Sequence, residues 1–141
     1  MSVHTPAALY LLKEMGFKQV VVAREMAFDD LKQLCQIANE LDMVVEVFVH
    51  GALCMSVSGQ CLLSAYLGSR SGNRGLCAGP CRLPFKAENG TGYDLSLKDL
   101  SLVEYIDELV EMGIASLKIE GRMKRPEYIA AATATCRQAL D

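Results

Sequence analysis

Met43 to His50 reads MVVEVFVH, and the fold turns on how that stretch is placed. Val44, Val45, Val47, Phe48 and Val49 occupy positions of both parities, so an extended chain buries apolar side chains on both faces. That is the signature of a strand inside a parallel sheet covered on its two sides. The exception is Glu46. A carboxylate in such a strand is paired or protonated, and Arg24 and Arg122 are the basic candidates, with a structural ion pair as the simplest role.

Working outward, Gln19–Arg24 (QVVVAR) and Ala115–Glu120 (ASLKIE) read as two further short strands. Thr5-Pro6 reads as an N-cap followed by proline at the first helical position, opening AALYLLKEMG, which stops at Gly16. Asp29 is placed to cap DLKQLCQIANEL, whose Leu31, Leu34, Cys35, Ala38 and Leu41 recur at helical spacing. LVEYIDELVEMG is an amphipathic helix closed by Gly113, and a last helix runs from about Glu127 to Ala139. Between Gly51 and Tyr93 the pattern breaks into Gly, Ser, Cys and Arg, with a hairpin expected around Asn89-Gly90.

Alternating strands and helices predict an α/β fold with parallel strands. Only three strands are legible, none precedes the first helix, and the sheet they form has two long apolar edges. The expectation is a partial (β/α) TIM-type barrel, a fragment or truncated product of a fold of about 250 residues. Residues 1–50 and 94–141 supply its βα units, and 51–93 form a Cys/Gly-rich insertion. Alone, such a chain is expected to associate through its sheet edges. In a barrel the strand C-termini carry the site, which selects Ala23–Glu25, His50–Cys54 and Glu120–Arg122.

The 141 residues are 51% hydrophobic and 22% charged, with a net charge of −3, and this balance excludes neither a nucleic acid nor a small-molecule ligand. The longest apolar runs are far too short to span a bilayer, so no membrane partner is expected. MSVHTPAALYLL lacks the basic region and cleavage site of a signal peptide, which points to the cytoplasm. In that reducing compartment the six cysteines favour metal binding or catalysis over disulfides.

Cys35 and Cys136 fall on apolar helical faces and read as core residues. Cys54, Cys61, Cys77 and Cys81 are clustered in the irregular segment. Their spacings fit the paired short spacings of a zinc site poorly. An iron–sulfur cluster tolerates irregular spacing and glycine-rich loops; zinc, disulfides or free thiols remain as alternatives. Neither H-E-x-x-H nor G-x-S-x-G occurs, which removes the usual zinc-protease and serine-hydrolase signatures.

Glu46, Phe48, Gly51, Ala52, Leu53, Cys54, Gly59, Cys61, Leu63 and Ser64 match the pattern E-x-F-x-x-G-[AS]-[LIVM]-C-x₄-G-x-C-x-[LIVM]-S, and here the chain resembles the U32 peptidase (collagenase-like protease) family. The likeness extends through VVVARE, GSRSGNRGLCAGPCRLPF and SLKIEGRMKRPEY, nearly the whole chain. It implies the central-to-C-terminal part of the family's barrel domain. Some members resemble oxygen-independent hydroxylases of RNA bases or quinone precursors that hold a [4Fe–4S] cluster. By that resemblance Cys54, Cys61, Cys77 and Cys81 are the cluster ligands, with Cys81 the position at which members differ. The RNA-modifying branch further implies a ribosomal or transfer RNA substrate and prephenate as hydroxyl source. The family label itself implies the alternative, a collagenase-like peptidase, and a piece of a barrel could also be an inactive metal-binding fragment.

Around these thiols, Arg70, Arg74, Arg82 and Lys86 form a stretch without acidic residues, suited to phosphate or a dianionic co-substrate, or else to donating to loop carbonyls. Lys118, Arg122, Lys124 and Arg125 follow near the next strand end. Arg70, Arg74 and Arg82 are the substrate-binding candidates. His50, Glu120 and Arg122, at strand ends, are the catalytic candidates, and His4 reads as a solvated residue beside the terminus. Tyr66, Phe85 and Tyr93 are the few aromatic residues placed for base stacking.

Overall fold

A computed structural model describes residues 3–57, 60–86, 88–90 and 92–141. The chain divides into two compact units: residues 1–52 with 99–141, and residues 53–98. The first unit is an α/β layer and the second an irregular, thiol-bearing segment.

In the first unit the strands are β1 (Gln19–Val21), β2 (Val44–Gly51), β3 (Leu100–Ser101) and β4 (Ser116–Glu120). The strand that decided the reading is the centre of the sheet. β1 pairs parallel with Val44–Glu46, and β4 pairs parallel with β2 from Glu46↔Ser116 to Gly51↔Glu120. Because β1 and β4 both pair with Glu46, they lie on opposite edges of β2. β3 pairs antiparallel with His50 and Gly51, which β4 also holds, so β3 shares the edge of β1, farther along. The two-residue β3 was not expected. It is too short to carry an alternating pattern and exists because β2 offers free backbone groups beyond the end of β1. The sheet is open, and the described residues do not close into the barrel expected from the sequence.

The helices of this unit are α1 (Pro6–Glu14), α2 (Phe28–Glu40), α4 (Ile106–Glu111) and α5 (Pro126–Leu140); α3 (Leu63–Gly68) belongs to the second unit. One apolar cluster joins Leu9 of α1, Leu31, Leu34, Cys35 and Ala38 of α2, Ile106 and Leu109 of α4 and Cys136 of α5 to Val20, Val45, Val47 and Val49 of the sheet. The four helices therefore contribute to a core on the valine face of β2. Burial of Leu31, Leu34, Cys35 and Ala38 at 3.6-residue spacing explains why this polar-rich segment is helical. Both helical cysteines are core residues, as their spacing indicated, and burial pushes the Cys35 thiol up to about 11.

The helix starts correct the sequence in two places. α2 opens at Phe28 after Ala27, so Asp29 is not its cap; Asp29 and Asp30 lie in the first turn, where a carboxylate favours the positive end of the helix dipole. Thr5 does precede Pro6 in extended geometry, but its side chain makes no capping hydrogen bond. Among the described residues no strand precedes α1, but Val3 forms an isolated parallel bridge with Val22, and Ala23 N–H donates to the Val3 carbonyl at 2.8 Å. The hairpin expected around Asn89-Gly90 includes Ala87 and Thr91, which lie outside the described residues.

Two local features shape the end of β2. The register shifts between Phe48 and His50, a bulge that breaks the two-residue alternation. Gly51 follows with φ +117°, and a Cβ there would stand 2.1 Å from the Glu120 carbonyl oxygen. Only glycine permits that approach of β2 to β4. We expect Gly51→Ala to destabilise the fold by about 2 kcal/mol or more, from backbone strain and the forced separation of the two strands. Chemical denaturation measures this, and an unchanged midpoint would contradict the close packing.

Candidate thiol site and strand-end constellation

Within residues 53–98, Cys54, Cys61, Cys77 and Cys81 are all outside any disulfide and partly buried. The turn that follows Cys77 holds its sulfur in place. Gly79 adopts a left-handed conformation ahead of the short 3₁₀ turn Pro80–Arg82, and its N–H donates to Cys77 Sγ at 3.3 Å. The Cys81 thiol is raised above its ordinary value chiefly by burial; Arg82 opposes this, while Cys54 and Cys77 add to it. Cys54 and Cys77 thus each lie within electrostatic reach of Cys81. Cys61 approaches through its backbone: a Cβ on Gly72 would sit 3.6 Å from Cys77 Cβ and 3.9 Å from the Cys61 carbonyl oxygen. Ser64, buried at the start of α3, accepts from Ala78 N–H at 2.9 Å and ties the two thiol-bearing stretches together.

Soft, unbridged thiols with a backbone N–H aimed at sulfur are the donor chemistry that an iron–sulfur cluster or zinc requires. Among the described residues, no three histidine, cysteine or carboxylate side chains stand close enough together to grip an ion as placed.

The arginines divide. Arg82 donates through Nη1 to Ser96 Oγ at 3.1 Å and to the Leu97 carbonyl, and through Nη2 to the Leu53 carbonyl at 2.5 Å. Its guanidinium is spent on joining the two ends of this unit. Arg70 Nε donates to the Leu76 carbonyl at 2.9 Å, and Arg74 stands exposed. For Arg70 and Arg82 the donation to loop carbonyls considered from the sequence is what the geometry displays.

In the first unit, the parallel strands β1, β2 and β4 end on one rim, which holds Arg24, His50, Glu120 and Arg122. Arg24 Nη1 donates to the Ala52 carbonyl at 3.0 Å, and its guanidinium carbon lies 5.0 Å from the centre of the Phe48 ring. Lys118 Nζ stands 5.4 Å from the same ring. Glu120 Oε1 accepts from the backbone N–H of Arg122 at 3.1 Å, holding the turn after β4. Glu46 takes partners other than the arginines expected. Its Oε1 meets Lys118 Nζ at 2.7 Å, and its Oε2 accepts from Ser116 Oγ at 2.8 Å and Gln19 Nε2 at 2.9 Å. The register explains the choice: β4 sets Ser116 opposite Glu46 and Lys118 opposite Phe48.

The bulge re-aims His50, which meets Tyr128 from the first turn of α5. Tyr128 Oη and His50 Nδ1 are 3.0 Å apart, with the rings nearly edge-on. Tyr128 donates to Asp99 Oδ2 at 2.8 Å, and the same oxygen receives Lys124 Nζ at 2.5 Å. Lys124 also sits 4.6 Å over the Tyr128 ring. Burial first, then Asp99, pushes the Tyr128 phenol up to about 12, so it remains a protonated donor. Tyr128 and Asp99 were not singled out from the sequence. Tyr128 stands in RPEY, the end of a matched stretch, but no local pattern reveals that it meets a histidine 78 residues away.

The Glu46 carboxyl is held below its ordinary range, first by the hydrogen bond from Lys118 and against the opposing effect of burial. Its contribution to stability is present above the unfolded value of about 4.3 and is lost as pH falls through the lower folded value. Acid denaturation of Glu46→Gln should lack that component; identical profiles for variant and wild type would refute the pairing. Arg82→Ala should speed proteolytic nicking within residues 53–98 and cost about 2 kcal/mol or more, with Arg82→Lys recovering little because an ammonium lacks the planar fork. Unchanged nicking would show that the clamp is dispensable.

Residues 1–141 match the model of Peptidase family U32. The chain is 36% identical over 147 residues to "tRNA hydroxylation protein P1" of Bacillus subtilis, covering 95% of this chain and 34% of that protein. It is 40% identical over 137 residues to "23S rRNA 5-hydroxycytidine C2501 synthase" of Escherichia coli, covering 92% of this chain and 20% of that protein. It is 32% identical over 139 residues to "Collagenase" of Porphyromonas gingivalis, covering 86% of this chain and 34% of that protein. The chain thus spans about a third or less of the length of these relatives. No solved structure matches. A match along its whole length establishes that the chain belongs to peptidase family U32.

Proposed function

We propose that the full-length protein hydroxylates a base of transfer or ribosomal RNA and holds a [4Fe–4S] cluster on Cys54, Cys61, Cys77 and Cys81. The observation that carries this reading is the set of four partly buried thiols, none in a disulfide, in one glycine-rich unit, with Cys54 and Cys77 each within electrostatic reach of Cys81. The names of the transfer-RNA and ribosomal-RNA relatives support the substrate class. When bound, such a cluster supplies one-electron chemistry. The chain's own residues do the rest. Gly79 N–H donates toward Cys77 Sγ, Arg82 fixes the ends of the thiol unit, and exposed Arg74 is available for a phosphate. Zinc on the same thiols is the alternative metal.

We also propose that the first unit is part of a (β/α) barrel. Its parallel strands follow one another across the sheet in chain order, Val3 then β1, β2 and β4, and its helices share one apolar cluster on the valine face. The helices lie on that face alone, as they do on the outside of a barrel sheet, and the opposite face carries Glu46 and Phe48 with their cations.

The collagenase name of one relative keeps peptide hydrolysis as a second reading. Anaerobic purification of wild type and Cys77→Ala, with metal and sulfide analysis, tests the cofactor: about four irons and four sulfides per chain are expected, lost in the variant. Mass spectrometry of RNA from a deletion strain should show a missing hydroxylated nucleoside, restored by the wild type but not by Cys77→Ala. Zinc without sulfide would overturn the cluster. Unaltered RNA together with collagen cleavage by the purified protein would establish the peptidase.

A further inference from the structure

We propose that His50 is a general base acting through Nε2, and that Tyr128, anchored by Asp99 and Lys124, is the positioning residue that sets this tautomer. The inference goes beyond RNA hydroxylation as such; it rests on that reading only for the identity of the substrate.

A count of protons fixes the tautomer. Tyr128 has one hydroxyl hydrogen, and the carboxylate oxygen of Asp99 at 2.8 Å takes it. Asp99 Oδ2 is ion-paired with Lys124, so it stays an acceptor. The contact of 3.0 Å between Tyr128 Oη and His50 Nδ1 can then be a hydrogen bond only if Nδ1 carries the proton and donates to the phenol oxygen. In neutral imidazole the lone pair is left on Nε2. The high phenol value fits this direction, since the tyrosine holds its proton across the physiological range.

Location makes the lone pair useful. His50 lies at the C-terminal rim of the parallel strands, is partly exposed, and has no protein partner on Nε2 among the described residues. The bulge between Phe48 and His50 is what turns the ring toward α5, and β3, by pairing with His50 and Gly51, delivers Asp99 to the same rim. Four residues from three separate chain segments meet in one line, an arrangement that fixes both the orientation and the protonation of the last member.

In the proposed step, Nε2 takes a proton from a bound substrate. A new N–H bond forms with the imidazole lone pair, the substrate's bond to hydrogen breaks, and its electron pair stays on the substrate. The resulting imidazolium keeps Nδ1–H on Tyr128, and Asp99 offsets its charge through the phenol oxygen.

Nitrogen-15 NMR of histidine-labelled protein tests the tautomer without any substrate. The chain has two histidines, so His4→Gln assigns the signals. At about pH 8.5, above the ordinary imidazole value, the Nδ1–H form of His50 should be the major tautomer in wild type. In Tyr128→Phe and in the near-isosteric Asp99→Asn the ratio should invert toward Nε2–H. Nε2–H as the major form in wild type would overturn the proposal, as would a ratio that neither variant moves. In the full-length protein, His50→Gln should lower product formation at least about 100-fold. A fully active His50→Gln would remove the base role. If the wild type leaves RNA unmodified, the functional reading fails while the tautomer result stands.

Discussion

Everything in the α/β unit depends on β2 being hydrogen-bonded along both edges while presenting two unlike faces. Val45, Val47 and Val49 face the helices, and Glu46 and Phe48 face away from them. A strand so placed cannot slip by one residue without exchanging valines for a carboxylate in the core, a cost of several kilocalories per mole. The register with β1 and β4 is therefore strongly specified, and with it the rim on which Arg24, His50, Glu120 and Arg122 lie. The ion pair of Glu46 with Lys118 follows from the same register rather than causing it. Lys118 is over a third exposed, so solvent screens much of its attraction and its value lies more in specificity than in stability.

The two chemically active groups of residues are built by opposite means. Around the thiols, left-handed glycine, short 3₁₀ turns and side chains bonded to main chain do the positioning, and little apolar burial is available. At the rim, regular elements position everything: a bulged strand, a two-residue antiparallel strand and the first turn of a helix. Sites on packed elements hold geometry tightly, while loop-borne thiols retain the freedom to adjust to whatever they bind.

Much of the secondary structure was legible because its causes are local. The β-branched runs Gln19–Arg24 and Met43–His50 and the helical spacing from Leu31 to Ala38 each bury one continuous surface, and periodicity records that directly. What was not legible arises from pairing at a distance. Val3 beside Val22, β3 beside the end of β2, and Lys118 rather than an arginine on Glu46 all follow from register, which only the folded sheet defines. The thiol unit was visible as a cluster of cysteines because composition marks it. The Tyr128–His50 contact was hidden because the bulge that creates it leaves no mark on a run of apolar residues.

The clamp made by Arg82 has a consequence for chain entropy. By bonding to Leu53 and Leu97 it closes a loop of more than forty residues from within. The cost of closing such a loop grows only with the logarithm of its length. Residues can therefore be added or removed between the two anchored ends for a few tenths of a kilocalorie per mole. Within that stretch, length is the property of the chain that stability constrains least.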